Sequence, residues 1–357
     1  MAQNKAQNWA QGGAGMGLSR RGLMAALPAV LLAPQILRAQ TGAAQTGAAQ
    51  PEGWPRTFTH ALGTTTIEKP PTRVVSLGYT SHDTLLALGV VPLAVRYWFG
   101  DAPNAVWPWA ADRLNGAEPV VLTGESGIET VAALQPDLIV GIGSGIGQAE
   151  YDVLSQLAPV LMHEPDAPVY GMGWQKMTRL LARATGTEVQ AEAEIAHTLG
   201  LFKAASDRHP DWAGKTATAA YHFNGETGIF VGSDGRARFM TELGFALTPA
   251  VTDYTGKSFY MALSPEDLSA LEADVLIWMT STPKDPDLVA LPMRKLLRAH
   301  IEGREVYAAG LTSAALSYGS ILSLPYALAA MEADIAAAVD GDPSTPVASA
   351  VAAGLAP

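Results

Sequence analysis

The sequence predicts an α/β fold of two Rossmann-like lobes joined by one long connector helix. An internal echo is the first observation behind this. IETVAALQPDLIVG (128–141) superimposes on PEDLSALEADVLIW (265–278) at an offset of 137 residues. Glu129 falls on Glu266, Val131 on Leu268, Ala133 on Ala270, Leu134 on Leu271 and Asp137 on Asp274. Leu138-Ile139-Val140 falls on Val275-Leu276-Ile277. Each copy reads as a short helix with apolar residues three apart, a turn, and the continuous apolar run of a buried parallel strand. The second observation lies between the copies, where EVQAEAEIAHTLGLFKAASDRHP predicts a helix over about 188–208, ~30 Å long. The third is size: 357 residues, 48% of them apolar, exceed one typical domain and can bury two cores.

In chain order, RVVSLG (73–78) predicts a strand, SHDTLLALG (81–89) a helix closed by Gly89, and VPLAV (91–95) a strand. PVVL, the first echo unit, a helix in YDVLSQLA (151–158) and the strand PVLM complete an N-terminal lobe over 56–172. Connector helices occupy 173–209, beginning with WQKMTRLLARATG. The C-terminal lobe, 210–342, opens with the strand TATAAYHF (216–223) and continues through RFMTELGF, the second echo unit and REVYAAG. In LSPEDL, Ser264 as N-cap, Pro265 at N1 and Asp267 at N3 predict a helix start. A helix within 317–339 closes the lobe, and 343–357 is expected as a frayed tail.

Residues 1–39 read as a twin-arginine export signal: Arg20-Arg21 follow Ser19, and the apolar run Gly22–Pro34 is short for a bilayer span. The repeat TGAAQTGAAQ places a flexible linker over 40–55. No other apolar stretch is long enough to span a membrane, so a soluble, periplasmic protein without stable membrane insertion is expected. The chain has no cysteine, which removes disulfides, thiolate metal sites and a lipid anchor on cysteine. Net charge is −11; of 23 basic residues, Lys5, Arg20, Arg21 and Arg38 lie in the first 39, leaving 19 against 34 acids, about −15. Such a body repels phosphate backbones, and no nucleic-acid partner is expected.

Catalytic patterns are mostly absent. GIGSGIG (141–147) fails both the dinucleotide fingerprint, with Ile146 and Gln148 at the wrong places, and the nucleophile elbow around Ser144. It does follow a strand at its carboxyl end, where α/β folds bind ligands. The seven histidines (60, 82, 163, 197, 209, 222 and 300) are scattered without metal-ligand spacing, and no protein-held metal is expected. Aromatic residues carry more information. RYWFGDAPNAVWPWA (96–110) places Tyr97, Trp98, Phe99, Trp107 and Trp109 among turn formers, off regular core faces. Phe259, Tyr260, Tyr170, Trp174, Trp278 and Tyr318 stand near predicted strand ends or the interlobe connection. A large, partly apolar or cationic ligand between lobes fits that distribution.

Motif by motif over about 70–342, the chain resembles the periplasmic substrate-binding proteins of iron–siderophore ABC importers, the helix-linked bilobal class. PTRVVSLGYTSHDTLLALGVVPLAV resembles the family's opening strand–helix–strand, and IETVAALQPDLIVG with EYDVLSQLAPVL its most recognisable signature. FYMALSPEDLSALEADVLIW and ALSYGSILSLPYALAAM are similar to its second-lobe counterparts.

The resemblance implies a monomeric binding protein, not an enzyme, with a rigid connector, a shallow cleft and modest closure. Its ligand would be a ferric siderophore that itself coordinates the iron, with no cofactor of the protein's own. Its partner would be an inner-membrane ABC permease, met through an acid at the tip of each lobe. Glu150 matches the first of these. In the second lobe Arg238 stands near the expected acid and Glu242 lies one turn later. The hydroxamate-binding branch has an arginine inside the loop matching 96–110; here Val106-Trp107-Pro108 precede Trp109, and Arg96 is the nearest cation, with Arg113 beyond. Arg236 and Arg238 are second-lobe candidates for charge pairing, and Phe259 and Tyr260 fit the branch's aromatic position. Hydroxamate, catecholate and citrate-type ligands all remain open. Two alternatives stand beside this: a cobalamin or haem carrier using His82, and an exported hydrolase using Ser144.

Overall fold

The computed structural model describes residues 53–357 except 125–126, 233 and 257. The export segment and most of the 40–55 linker lie outside the described residues. Trp54 is already buried against the first lobe, so its core begins within the segment expected as linker. An antiparallel hairpin follows, β1 (Arg56–His60) with β2 (Gly63–Ile67). Its alternation turns Phe58 and Ile67 into the core, while Thr57 and Thr66 pair hydroxyls outside at 3.1 Å.

The first lobe then runs β3 (Val74–Ser76), α1 (Ser81–Ala87), β4 (Ala94–Arg96), α2 (Pro108–Ala111), β5 (Val120–Leu122), α3 (Ile128–Leu134), β6 (Leu138–Val140), α4 (Gln148–Leu154) and β7 (Val160–Leu161). All pairings are parallel, in the order β5-β4-β3-β6-β7. The chain winds outward from β3 in both directions, which puts a topological switch between β3 and β6, the place where such sheets open a ligand crevice. The turns leaving these two strands press together. A Cβ on Gly78 would lie 1.9 Å from the Ile142 carbonyl oxygen, so only glycine fits there.

Two antiparallel helices connect the lobes, α5 (Trp174–Thr185) and α6 (Glu188–Arg208), the second with the length expected. The second lobe contains β8 (Thr216–Phe223), β9 (Glu226–Phe230), α7 (Gly235–Glu242), β10 (Ala246–Leu247), α8 (Pro249–Thr252), β11 (Tyr260–Ala262), β12 (Val275–Met279), α9 (Pro286–Ala290), α10 (Arg298–Ile301), β13 (Glu305–Ala308), α11 (Gly310–Tyr318), α12 (Ser323–Asp340) and α13 (Ala348–Ala353). Its sheet runs β11-β9-β8-β12-β13, with β10 beside the start of β8. The pairings β10–β8, β8–β12 and β12–β13 are parallel, whereas β8, β9 and β11 are joined antiparallel, an addition the first lobe lacks.

The echo has a structural basis. Asp137 accepts hydrogen bonds from the Thr72 amide at 2.8 Å and the Arg73 amide at 2.7 Å, and Asp274 does the same for the Thr216 amide at 2.8 Å. Each aspartate pins the entry of the strand beside its own. The helix expected at 264–271 is not α-helical. Ser264 and Asp267 cap successive turns, through Glu266 N and Ser269 N, and the segment closes as a 3-10 turn over Ser269–Leu271. Leu268 and Leu271 still reach the core, as Val131 does in the first copy.

The frayed tail is also corrected. Ala350, Ala353 and Leu355 are buried in the second-lobe core, Ser349 Oγ accepts from the Tyr307 amide at 3.0 Å, and buried Arg294 donates to the Leu355 carbonyl at 3.1 Å. Among the described residues no helix is long and apolar enough to cross a membrane.

Candidate functional site

Tyr79 leaves β3 at the switch point, and the site grows around it. Arg96, the last residue of β4, lays its guanidinium 4.7 Å from the Tyr79 ring centroid. The same group donates to the carbonyls of Ser144 at 3.1 Å and Gly124 at 3.3 Å, which fixes its plane. Trp98 and Tyr170 stand 5.8 and 6.4 Å from Tyr79, ring centre to ring centre. Tyr170 is 61% exposed and Tyr97 37%, the latter donating its hydroxyl to Gly100 O at 3.0 Å. Burial raises the Tyr170 pKa, Tyr79 adds to that rise, and the nearby Arg96 charge opposes it, so the phenol is neutral at physiological pH. The GIGSGIG loop supports Tyr170 from beneath: a Cβ on Gly145, at φ +73°, would meet its hydroxyl at 2.3 Å. Arg96, Trp98 and Tyr170 thus come together with Tyr79, which sequence reasoning missed despite its place just past a strand end, while exposed Tyr97 bonds within its own loop.

The other half of the aromatic loop turns inward. Trp107 is only 7% exposed and stacks on Trp109 at 5.5 Å and 12°. Both lie against Tyr318 of α11, itself buried, which also meets Trp98 at 5.5 Å. Trp109 Nε1 donates to Asp83 Oδ2 at 2.7 Å, and Ser320 Oγ of the second lobe donates to the same oxygen at 2.6 Å. Asp83 is fully buried, and this desolvation pushes its carboxyl up to about 6. Trp107, Trp109 and Tyr318 were expected to face a ligand; the structure makes them chiefly the joint between lobes, because the Trp109 indole finds its polar partner in the core.

In the second lobe, Arg236 forms a two-point pair with Asp234, Nε to Oδ1 at 2.6 Å and Nη2 to Oδ2 at 2.7 Å. Its guanidinium sits 3.6 Å from the Phe230 centroid and 5.9 Å from that of Phe259. Phe259 and Tyr260 are exposed and lie edge to face at 5.1 Å, with Tyr221 next to Tyr260 at 5.9 Å. Arg238 points elsewhere, donating to Gly171 O at 3.2 Å beside Tyr170, and burial lowers its pKa. Gly235 at the start of α7 approaches Gly319, the residue after Tyr318.

Several expected residues do not join the site. Trp278 is fully buried in the second core, donating to Glu305 Oε1 at 2.7 Å, so no ligand can stack on it. Glu242 accepts from Trp174 Nε1 at 2.9 Å and Gln175 Nε2 at 3.0 Å, which ties α7 to the connector instead of presenting a free acid. Burial raises its pKa against these bonds. Glu150 lies in the first turn of α4. Arg113 pairs with Glu194 of the connector at 3.1 Å. His82 is fully buried, its pKa lowered to about 4 by desolvation, and cannot reach a ligand iron or cobalt in the cleft. Ser144 is buried and donates to Gly141 O at 2.6 Å within its own loop, not to a base, which removes the hydrolase nucleophile. Among the described residues no group of three or more His, Asp or Glu side chains is placed to hold a metal ion.

Comparison with known proteins matches the periplasmic binding protein family model to residues 74–308. The ferric enterobactin-binding periplasmic protein FepB of Escherichia coli is 29% identical over 295 residues, 77% of this chain and 90% of that protein. The probable siderophore-binding lipoprotein YfiY of Bacillus subtilis is 29% identical over 235 residues, 63% of this chain and 69% of that one. The crystal structure of a periplasmic solute binding protein from Mycobacterium smegmatis superimposes with a TM-score of 0.71 at 32% identity, covering 80% of this chain and 99% of that one. With two thirds of its length matched in one continuous span and the switch-point crevice in place, this chain belongs to the periplasmic binding protein family.

Proposed function

We propose that this protein captures a ferric siderophore between its lobes and delivers it to an inner-membrane ABC importer without reacting with it. The observation that carries the reading is the platform at the switch point: Tyr79, Trp98 and exposed Tyr170 around a guanidinium held flat by two carbonyls. Ring faces suit the broad organic shell of an iron chelate, and one fixed cation suits its partial negative charge. The names of the Escherichia coli and Bacillus subtilis relatives support the same cargo. Iron arrives already coordinated, so the chain needs no metal ligands or cofactor of its own. It works outside the inner membrane as a monomer, exported through the twin-arginine segment, and Glu150 contributes to permease docking.

Titrating the protein with a panel of ferric siderophores tests this through its tryptophan emission. Saturable quenching by at least one member is expected, and no response to any member overturns the reading. In cells, Glu150→Ala should bind normally but import less iron, and R20K/R21K should stay in the cytoplasm; unchanged uptake or export removes those two assignments.

A further inference from the structure

Tyr170 is the most exposed ring of the platform, and it stands on a turn held from both lobes. The Gly171 amide donates to Pro168 O at 3.0 Å and closes that turn, leaving Val169 and Tyr170 at its tip, 39% and 61% exposed. A Cβ on Gly171 would meet the Pro168 ring at 2.9 Å, so glycine lets the turn close this tightly. The first lobe supplies Tyr79, 6.4 Å away, and the Gly145 backbone under the Tyr170 hydroxyl. The second lobe supplies Arg238. Its Nη1 donates to the Gly171 carbonyl at 3.2 Å, while Glu242, one turn further along α7, accepts from Trp174 and Gln175 just beyond. The helix α7 therefore lies along 171–175, and its arginine takes hold of the residue next to Tyr170. Burial lowers the Arg238 pKa, and Asp234 and Glu242, a helical turn to either side, oppose this, so the guanidinium stays a charged donor.

A ring on a fixed turn holds cargo more tightly than the same ring on a loose one, because ordering the turn draws on the free energy of binding. Resting on the reading that a ferric siderophore docks on the platform, we propose that Arg238 is a positioning residue. Its hydrogen bond to Gly171, made across the lobes, holds the Tyr170 ring in place beside Tyr79. Arg238 then contributes to capture through Tyr170, and not by pairing with the charge of the cargo.

The chain has no cysteine, so a single introduced thiol can report on the turn. A nitroxide on Val169→Cys, read by electron paramagnetic resonance in the cargo-free protein, should give a restricted spectrum. Arg238→Ala should loosen it, and Arg238→Lys, which keeps a donor of similar reach, should largely restore it. A control label on Val189→Cys, 89% exposed at the start of α6, should not respond. An unchanged spectrum at 169 overturns the proposal, and so does an equal response at 189, which would mark a general loosening. Fluorescence titration with ferrichrome, ferric enterobactin and ferric dicitrate reads the consequence. Arg238→Ala should weaken whichever of these bind by about 5-fold, but by under about 2-fold once Tyr170→Ala is present. An equal loss in both backgrounds means that Arg238 acts on the cargo directly and overturns the proposal. Silence from all of these chelates in the wild type, with the label at 169 still responding, removes the cargo reading and leaves the tether standing.

Discussion

The loop 96–110 contains two aromatic groups with opposite fates. Tyr97 stays exposed and Trp98 reaches Tyr79, which carries the Arg96 guanidinium, while also touching Tyr318, whereas Trp107 is buried against Tyr318 with Trp109 stacked on it. Residue type does not separate them, since both groups contain tryptophan. Chain geometry and polar partners do. A Cβ on Gly100, at φ +83°, would meet the Trp107 ring at 2.6 Å, so glycine lets the loop close on that indole, and Pro108 starts the short helix that sends Trp109 toward Asp83. Trp109 is held by a buried acceptor, whereas Trp107 is buried by packing alone, with no acceptor on its indole nitrogen.

Three substitutions sharpen the contrast. Trp109→Ala removes a large interlobe side chain and strips a buried carboxylate of one donor, so it should cost about 3–5 kcal/mol in urea unfolding. A loss under about 1 kcal/mol would show that the indole is not part of the joint. Asp83→Asn probes the same joint through pH. Its folded pKa, about 6, lies above its ordinary 3.8, so the fold prefers the protonated form. That contribution is whole below about pH 4 and is lost as pH rises through about 6. The stability difference between wild type and Asp83→Asn should therefore shift by about 2–3 kcal/mol, in favour of the variant, between pH 4 and pH 7. A flat difference across that range would show that the ionised carboxylate is fully compensated. At the rim the expected signature reverses: Tyr170→Ala should leave the urea midpoint unchanged and weaken siderophore binding by about 10-fold. A stability loss without an affinity loss would place Tyr170 with the joint.

Sequence made the parallel strands, the connector and the echo readable because each is a local pattern of apolar runs or helical spacing. Even the paired aspartates 137 and 274 stood out, and their strand-pinning bonds explain why the same residue recurs. The 265–271 segment misled because its caps are genuine yet close turns too short to become an α-helix. Trp278 could not be sorted from composition, since strand ends and strand interiors look alike until Glu305, 27 residues away, is placed on its indole. The Asp83–Ser320 contact spans 237 residues and left no local trace. The pairing of Arg236 was within reach, because Asp234 stands only two positions before it.

The Asp83–Ser320 hydrogen bond has a consequence for kinetics. It joins the lobes at 2.6 Å and out of water. A protein braced in this way should have little large-scale opening and shutting to couple to capture. Its observed association rate should climb in proportion to cargo concentration, with no plateau set by a slow domain movement. Residence time, governed by how firmly the rim holds the chelate, would then decide how long a captured iron waits for its transporter.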